Sequence, residues 1–111
     1  MRFRVRFTVN AETSLQKYFR RAFAEAPQTA IRWLERIQNA IESLANFPRR
    51  CVRAPENGLR GLAAREIRQL IFGKARGAFR ILFEIADDEV RILLIRRGSQ
   101  KRATAKELFG E

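Results

Sequence analysis

The sequence contains no histidine, which removes the commonest general base, the serine–histidine triad and most zinc sites. Cysteine occurs once, at Cys51, so neither an internal disulfide nor a cysteine-only metal site can form. A lone thiol fits a reducing compartment, and the cytoplasm is the expected location. No apolar run is long enough to span a membrane. The opening MRFRVRF alternates, so no secretory leader is expected. There is no glycine-rich phosphate loop ahead of a helix, no metal-ligand spacing and no carboxylate pair that stands out. Neither a metal nor a small-molecule cofactor is expected. Acidic residues are scarce: 12 Asp+Glu against 23 Lys+Arg leave a net charge of +11. Such a field favours a polyanionic partner, whether nucleic acid, ribonucleoprotein, anionic membrane or acidic protein. With 46% hydrophobic and 32% charged residues the balance is globular, so the 111 residues are expected to form one domain.

Residues 77–97, GAFRILFEIADDEVRILLIRR, are two apolar runs rich in β-branched and aromatic residues, separated by an acidic dipeptide. This pattern predicts an antiparallel hairpin with Asp87-Asp88 as its two-residue turn. Asp87-Asp88 also resembles a cation site, but at a hairpin tip aspartates are turn residues far more often. Counting back from the turn sets Glu84 opposite Arg91, a favourable cross-strand pair. The same count sets Leu82 opposite Leu93, Arg80 opposite Ile95 and Ala78 opposite Arg97. One face then carries Phe79, Ile81, Phe83, Ile85, Val90, Ile92 and Leu94, and is apolar apart from Arg96. The other is mixed, with Arg80, Leu82 and Glu84 beside Arg91, Leu93, Ile95 and Arg97. The first is expected to face the core, the second to carry function.

Residues 2–9 alternate strictly and predict a strand with one buried face. Arg2, Arg4 and Arg6 read as the wet side of an edge strand rather than a nucleic-acid stripe. Thr13 with Gln16 matches a capping box, Asn10 being a rival cap, and opens a helix to about Glu25 that Pro27 breaks. A second helix is expected over residues 28–46, its stripe formed by Leu34, Ile37, Ile41 and Leu44. Trp33 lies off that stripe, placed either to pack or to meet a partner, with packing favoured. Residues 49–65 read as a strongly basic loop, either functional or simply solvated. Residues 66–72 form another strand, and GKARG at 73–77 turns into the hairpin. The tail is basic, then weakly helical from about Thr104. The expected architecture is α+β: β-α-α-β-β-β, one antiparallel-rich sheet with an αα-hairpin packed on one face.

A cationic cluster gathers at one end of this arrangement. Arg80 and Arg97 are expected on one face, with Lys74 and Arg76 in the adjacent turn and Lys101 and Arg102 just beyond Gly98. The arginine fork suits phosphate, and such a cluster can bind a backbone or stabilise charge in RNA cleavage. A solvated basic edge is an equal alternative.

The element order, the helix IRWLERIQNAIESLANFP, the loop PENGLRGL and the run GAFRILFEIADDEVRILLIRRGSQ together resemble the RelE/ParE superfamily, the plasmid-stabilisation toxins of bacterial type II toxin–antitoxin systems. The resemblance spans nearly the whole chain. It implies a growth-arresting toxin neutralised by a cognate antitoxin, which is expected to be acidic and to dock on the sheet and helices. It implies one of two targets. RelE-like members cleave mRNA on the ribosome with basic side chains and often a tyrosine, without metal; ParE-like members poison DNA gyrase. On the RelE pattern, Arg80, Arg97 and Lys101 are candidate catalytic residues, and Lys74, Arg76 and Arg102 candidate nucleic-acid contacts. The tail offers Phe109 where that pattern has tyrosine; the only tyrosine is Tyr18. The charge favours an mRNA interferase, which is the reading taken here. The missing tyrosine favours the gyrase inhibitor, and an inactive relative that only binds is the third reading.

Overall fold

The computed structural model describes residues 2–110, and its centre is the hairpin of β3 (Phe79–Ala86) and β4 (Glu89–Arg97) around the Asp87-Asp88 turn. β2 (Ile67–Phe72) lies antiparallel along β3, and β1 (Arg4–Phe7) lies parallel along β4. The sheet order is β1-β4-β3-β2. Two helices, α1 (Val9–Glu25) and α2 (Pro27–Glu42), form the connection that lets β1 and β4 run parallel. A short α3 (Ala105–Phe109) closes the tail. The expected α+β order is therefore the observed one, and α3 is the helical tail expected from about Thr104.

The first helix begins earlier than its pattern suggests. Thr8 is the cap: its hydroxyl accepts from the Ala11 N–H at 3.2 Å and donates to the Ile92 carbonyl at 2.8 Å. The predicted cap Thr13 lies inside the helix, and the rival Asn10 instead donates its amide to the Glu107 carbonyl at 2.9 Å. The strand alternation hid this start, because Val9 continues the apolar parity although it is solvent-exposed on the first turn. α2 starts on Pro27 itself, whose missing N–H costs nothing at a helix start. It gives way to a 3₁₀ turn at Ser43–Ala45, short of the expected Asn46.

The hairpin register follows the charge count only near the turn. Glu84 pairs with Arg91 and Phe83 with Ile92, but Leu82 then pairs with Leu94, leaving Leu93 as a bulge. Beyond it Ile81 pairs with Ile95 and Arg80 with Arg96, not Arg80 with Ile95. The bulge sits where β1 stops: pairing ends at Phe7 with Ile92, and α1 side chains take over the edge. Ser14 Oγ accepts from the Ile95 N–H at 3.0 Å. One extra residue exchanges the faces for everything after it. Ile95 and Arg97 move to the helix side, while Leu94 and Arg96 move to the side of Arg80.

Two cores result. Against the helices, Phe83, Ile81, Ile92 and Ile95 pack on Ile37, Ile41 and Leu44, all nearly solvent-free. Each such side chain contributes roughly 1.5–3 kcal/mol. The opposite face was expected to be open and mixed. It is covered instead: Leu82 and Leu93 lie beneath Ala54 and Leu62 of the 49–65 segment and Ala103 and Leu108 of the tail. That segment is accordingly a fitted cover, pinned where the Asn57 amide donates to the Leu62 and Arg65 carbonyls, both at 2.9 Å. Cys51 is buried, and burial pushes its thiol above the usual value, as befits a packing residue. No helix among the described residues is long and apolar enough to cross a membrane.

Candidate functional site at the basic end of the sheet

Arg80 is where the sequence and the structure diverge most. Its position on β3 points it away from the helices, as expected, but onto the covered face, where it is 8% exposed. Its two terminal nitrogens donate to both carboxylate oxygens of Glu56, at 2.9 and 2.6 Å. Nε and one terminal nitrogen also donate to Gln69 Oε1 at 2.9 and 2.8 Å. Glu56 is fully buried and accepts further from the Ala103 N–H at 2.9 Å. Burial pushes the Glu56 carboxyl up, but the Arg80 guanidinium and the Ala103 N–H outweigh it and hold it below the ordinary 4.5. Each of the three guanidinium nitrogens of Arg80 thus donates to one of the protein's own acceptors.

Arg97 lies on the other side of the sheet. Its guanidinium sits 5.3 Å from the centre of the Phe79 ring. Tyr18 packs edge-on against that ring at 5.0 Å and Trp33 tilts against it at 5.2 Å. The Tyr18 hydroxyl donates to Gln100 Oε1 at 2.7 Å, and the Arg97 N–H donates to the same oxygen at 2.9 Å. A hollow of about 310 Å³ opens here, with Tyr18, Trp33 and Phe79 as walls and Arg21 and Arg97 at hand. Arg80 and Arg97, expected on one face, are therefore separated by the sheet because of the Leu93 bulge.

The remaining candidates divide the same way. Lys74 lines a second hollow, of about 360 Å³, beside Trp33, Arg36 and Phe72, and Arg76 stands exposed in the same turn. Gly73 makes this turn tight: φ is +94°, and an added Cβ would sit 3.4 Å from the Ala78 backbone. Lys101 and Arg102 are exposed on the segment that crosses to the Arg80 side, where the Lys101 carbonyl accepts from Arg96 Nε at 2.7 Å. Arg96, expected in the core, also pairs with Glu107 at 2.7 Å. The structure thus brings Arg97 and Lys74 to the two flanks of one aromatic ridge and leaves Arg80 behind the sheet. Arg21 and Arg36 belong to the ridge and were not candidates. Arg36 was findable, since it lies one helical turn beyond Trp33 and shares its side.

The buried carboxylate makes stability pH-dependent. Glu56, with its folded value lowered, stabilises the protein fully above its unfolded value of about 4.5, and this is lost as pH falls through the folded value. Glu107, lowered by Arg96 and by the Thr104 N–H, acts in the same sense. The urea midpoint is expected to vary little from neutrality down to about pH 5 and to fall steeply below about pH 4.5. An unchanged midpoint at pH 3 would contradict the linkage.

A model of the family described as "ParE toxin of type II toxin-antitoxin system, parDE" matches residues 5–102, nearly the whole chain and ending before α3. Among solved structures, a chain of the "Chromosomal ParDE TA system from P. aeruginosa" is similar, with a TM-score of 0.67 over 86% of this chain and 95% of that one. At 19% identity this likeness concerns the fold. No curated protein matches the sequence.

Proposed function

The chain belongs to the ParE toxin family of type II toxin–antitoxin systems, and from that premise we propose that it arrests growth by binding DNA gyrase through protein contacts rather than by cutting RNA. The observation that carries this reading is the state of Arg80. It is the one residue matched to the third-strand arginine of the nuclease pattern, and all three of its guanidinium nitrogens already donate to Glu56 or Gln69. The tail position that would supply a phenol holds Phe109, whose ring instead receives the Arg65 guanidinium at 3.9 Å. The helical hairpin carries exposed apolar side chains, Phe23 and Ile31, at 43% and 41% exposure. We assign them, one on α1 and one on α2, to the gyrase contact, since protein interfaces are enriched in aromatic side chains and bury apolar groups at their centre. A toxin of such a module has an antitoxin as its partner; with net charge +11 on the toxin, we expect an acidic one.

Purified toxin added to gyrase and relaxed plasmid is expected to block supercoiling, and the cognate antitoxin to restore it. Phe23→Asp with Ile31→Asp is expected to abolish the block while leaving the fold intact, since both sites are solvent-exposed. New mRNA 5′ ends within codons after induction, with gyrase unaffected, would replace this reading with the interferase. Normal growth would leave only the binding module.

A further inference from the structure

Part of the positive charge of this surface is neutralised in place: Arg4, Arg6, Arg49, Arg65, Arg68, Arg91 and Arg96 all meet carboxylates. Around Trp33 it is not. Among the described residues, Arg21, Arg36, Lys74, Arg76 and Arg97 form no ion pair. They also gather at one end, on the last turns of the sheet and the facing sides of α1 and α2. Between them stands Trp33, half-buried, its ring braced on Phe79 and bordering both hollows. The hollow on the Lys74 side is lined by no acidic residue; the other contains Glu25.

We propose that this end of the molecule binds single-stranded nucleic acid, with a base set against Trp33 in the Lys74-side hollow and the flanking phosphates on Arg36 and Lys74. Three features select this ligand. A braced, accessible indole offers a flat face on which any base can stack, and stacking between cations is how single strands are held without sequence preference. Guanidinium groups fork onto phosphate oxygens, and ammonium groups meet them as point charges; both kinds are present. The cations continue on either side of the ring, through Arg76 and Arg97, as a strand with a charge at every nucleotide requires. An acidic peptide would satisfy the charge but brings no flat group to the ring. The proposal stands independently of the gyrase target.

Trp33 is the only tryptophan, so its fluorescence reports this end of the molecule alone, and substitutions at Arg36 and Lys74 separate the Lys74-side hollow from the other. Short oligothymidylate and oligouridylate, titrated into the full chain, are expected to quench it; quenching by either supports the site, and the stronger identifies DNA or RNA as the natural strand. Arg36→Glu with Lys74→Glu, both exposed and unpaired, is expected to weaken binding about 10-fold or more. It is also expected to reduce the salt slope by about 1.4, two phosphate contacts at 0.7 each. Unchanged circular dichroism would show that the fold is kept. The proposal is overturned if neither strand quenches, if the double variant binds as the wild type does, or if polyglutamate quenches as strongly as the oligonucleotides. A chain that quenches yet leaves gyrase active would overturn the gyrase reading alone. One that blocks gyrase without quenching would overturn this proposal alone.

Discussion

Arg80→Ala is expected to lower the melting temperature by about 15 °C or more. The substitution leaves the Glu56 carboxylate fully buried, with the backbone N–H of Ala103 at 2.9 Å as its partner from the tail, and removes two donors from Gln69. Breaking a buried ion pair from one side costs about 3–5 kcal/mol, because the partner's charge is stranded away from water. For a domain of this size each kcal/mol moves the transition by roughly 4 °C or more. Replacing both partners, Arg80→Met with Glu56→Leu, is expected to recover more than half of the loss, since no charge is then stranded. Calorimetry on the two variants and the wild type decides it: a shift of under 3 °C for Arg80→Ala would mean that the pair is not closed to solvent. The double variant also separates structure from chemistry. If it melts near the wild type and still arrests growth, the arginine's role is in the fold. If it is stable but harmless, Arg80 acts directly on a target and the nuclease reading returns.

This cost explains which parts of the molecule could be read from the sequence. The hydrophobic periodicities were sufficient for the element order, since each run must bury one face. Glu84 and Arg91 fixed the register next to the turn, where no residue intervenes to shift it. They could not fix it beyond Leu93, because the bulge answers to Thr8 and Ser14, some eighty residues away in the chain. The faces of Arg96 and Arg97 were exchanged for that reason alone. The second core was written in Leu82, Leu93, Ala103 and Leu108, but these lie in three separate segments, none amphipathic enough to declare a partner. The 49–65 segment looked like a basic loop because its arginines outnumber its acids. Its one decisive residue is acidic, Glu56, and a buried carboxylate cannot be told from a surface one by composition.

The tail shows how much the cover contributes. Leu108→Ala is expected to cost about 3 kcal/mol in urea denaturation, within the range for emptying a leucine site in a closed core. Leu108 is 1% exposed and packs in the cluster with Leu82 and Leu93. α3 has five residues, too few to be helical alone, so its order must come from what it touches. Thr104 and Glu107 cap its start reciprocally, with the Glu107 N–H donating to Thr104 Oγ1 at 3.2 Å. Gly110 ends it at φ +76°, its N–H donating to the Lys106 carbonyl at 2.7 Å. These ends set the shape of the helix, while Leu108 holds it to the sheet. The same segment delivers the Ala103 N–H to Glu56, so losing Leu108 should also loosen the Arg80 pair. The combined loss for Leu108→Ala with Arg80→Ala is therefore expected to fall short of the sum by about 1 kcal/mol. Trypsin should also cut after Lys101, Arg102 and Lys106 faster in Leu108→Ala, because the cleavable segment is released without global unfolding. A cost below about 1 kcal/mol with unchanged proteolysis would mean that the face of β3 and β4 turned from the helices is stable uncovered. The apolar area of Leu82 and Leu93 argues against that, since both would then stand in water.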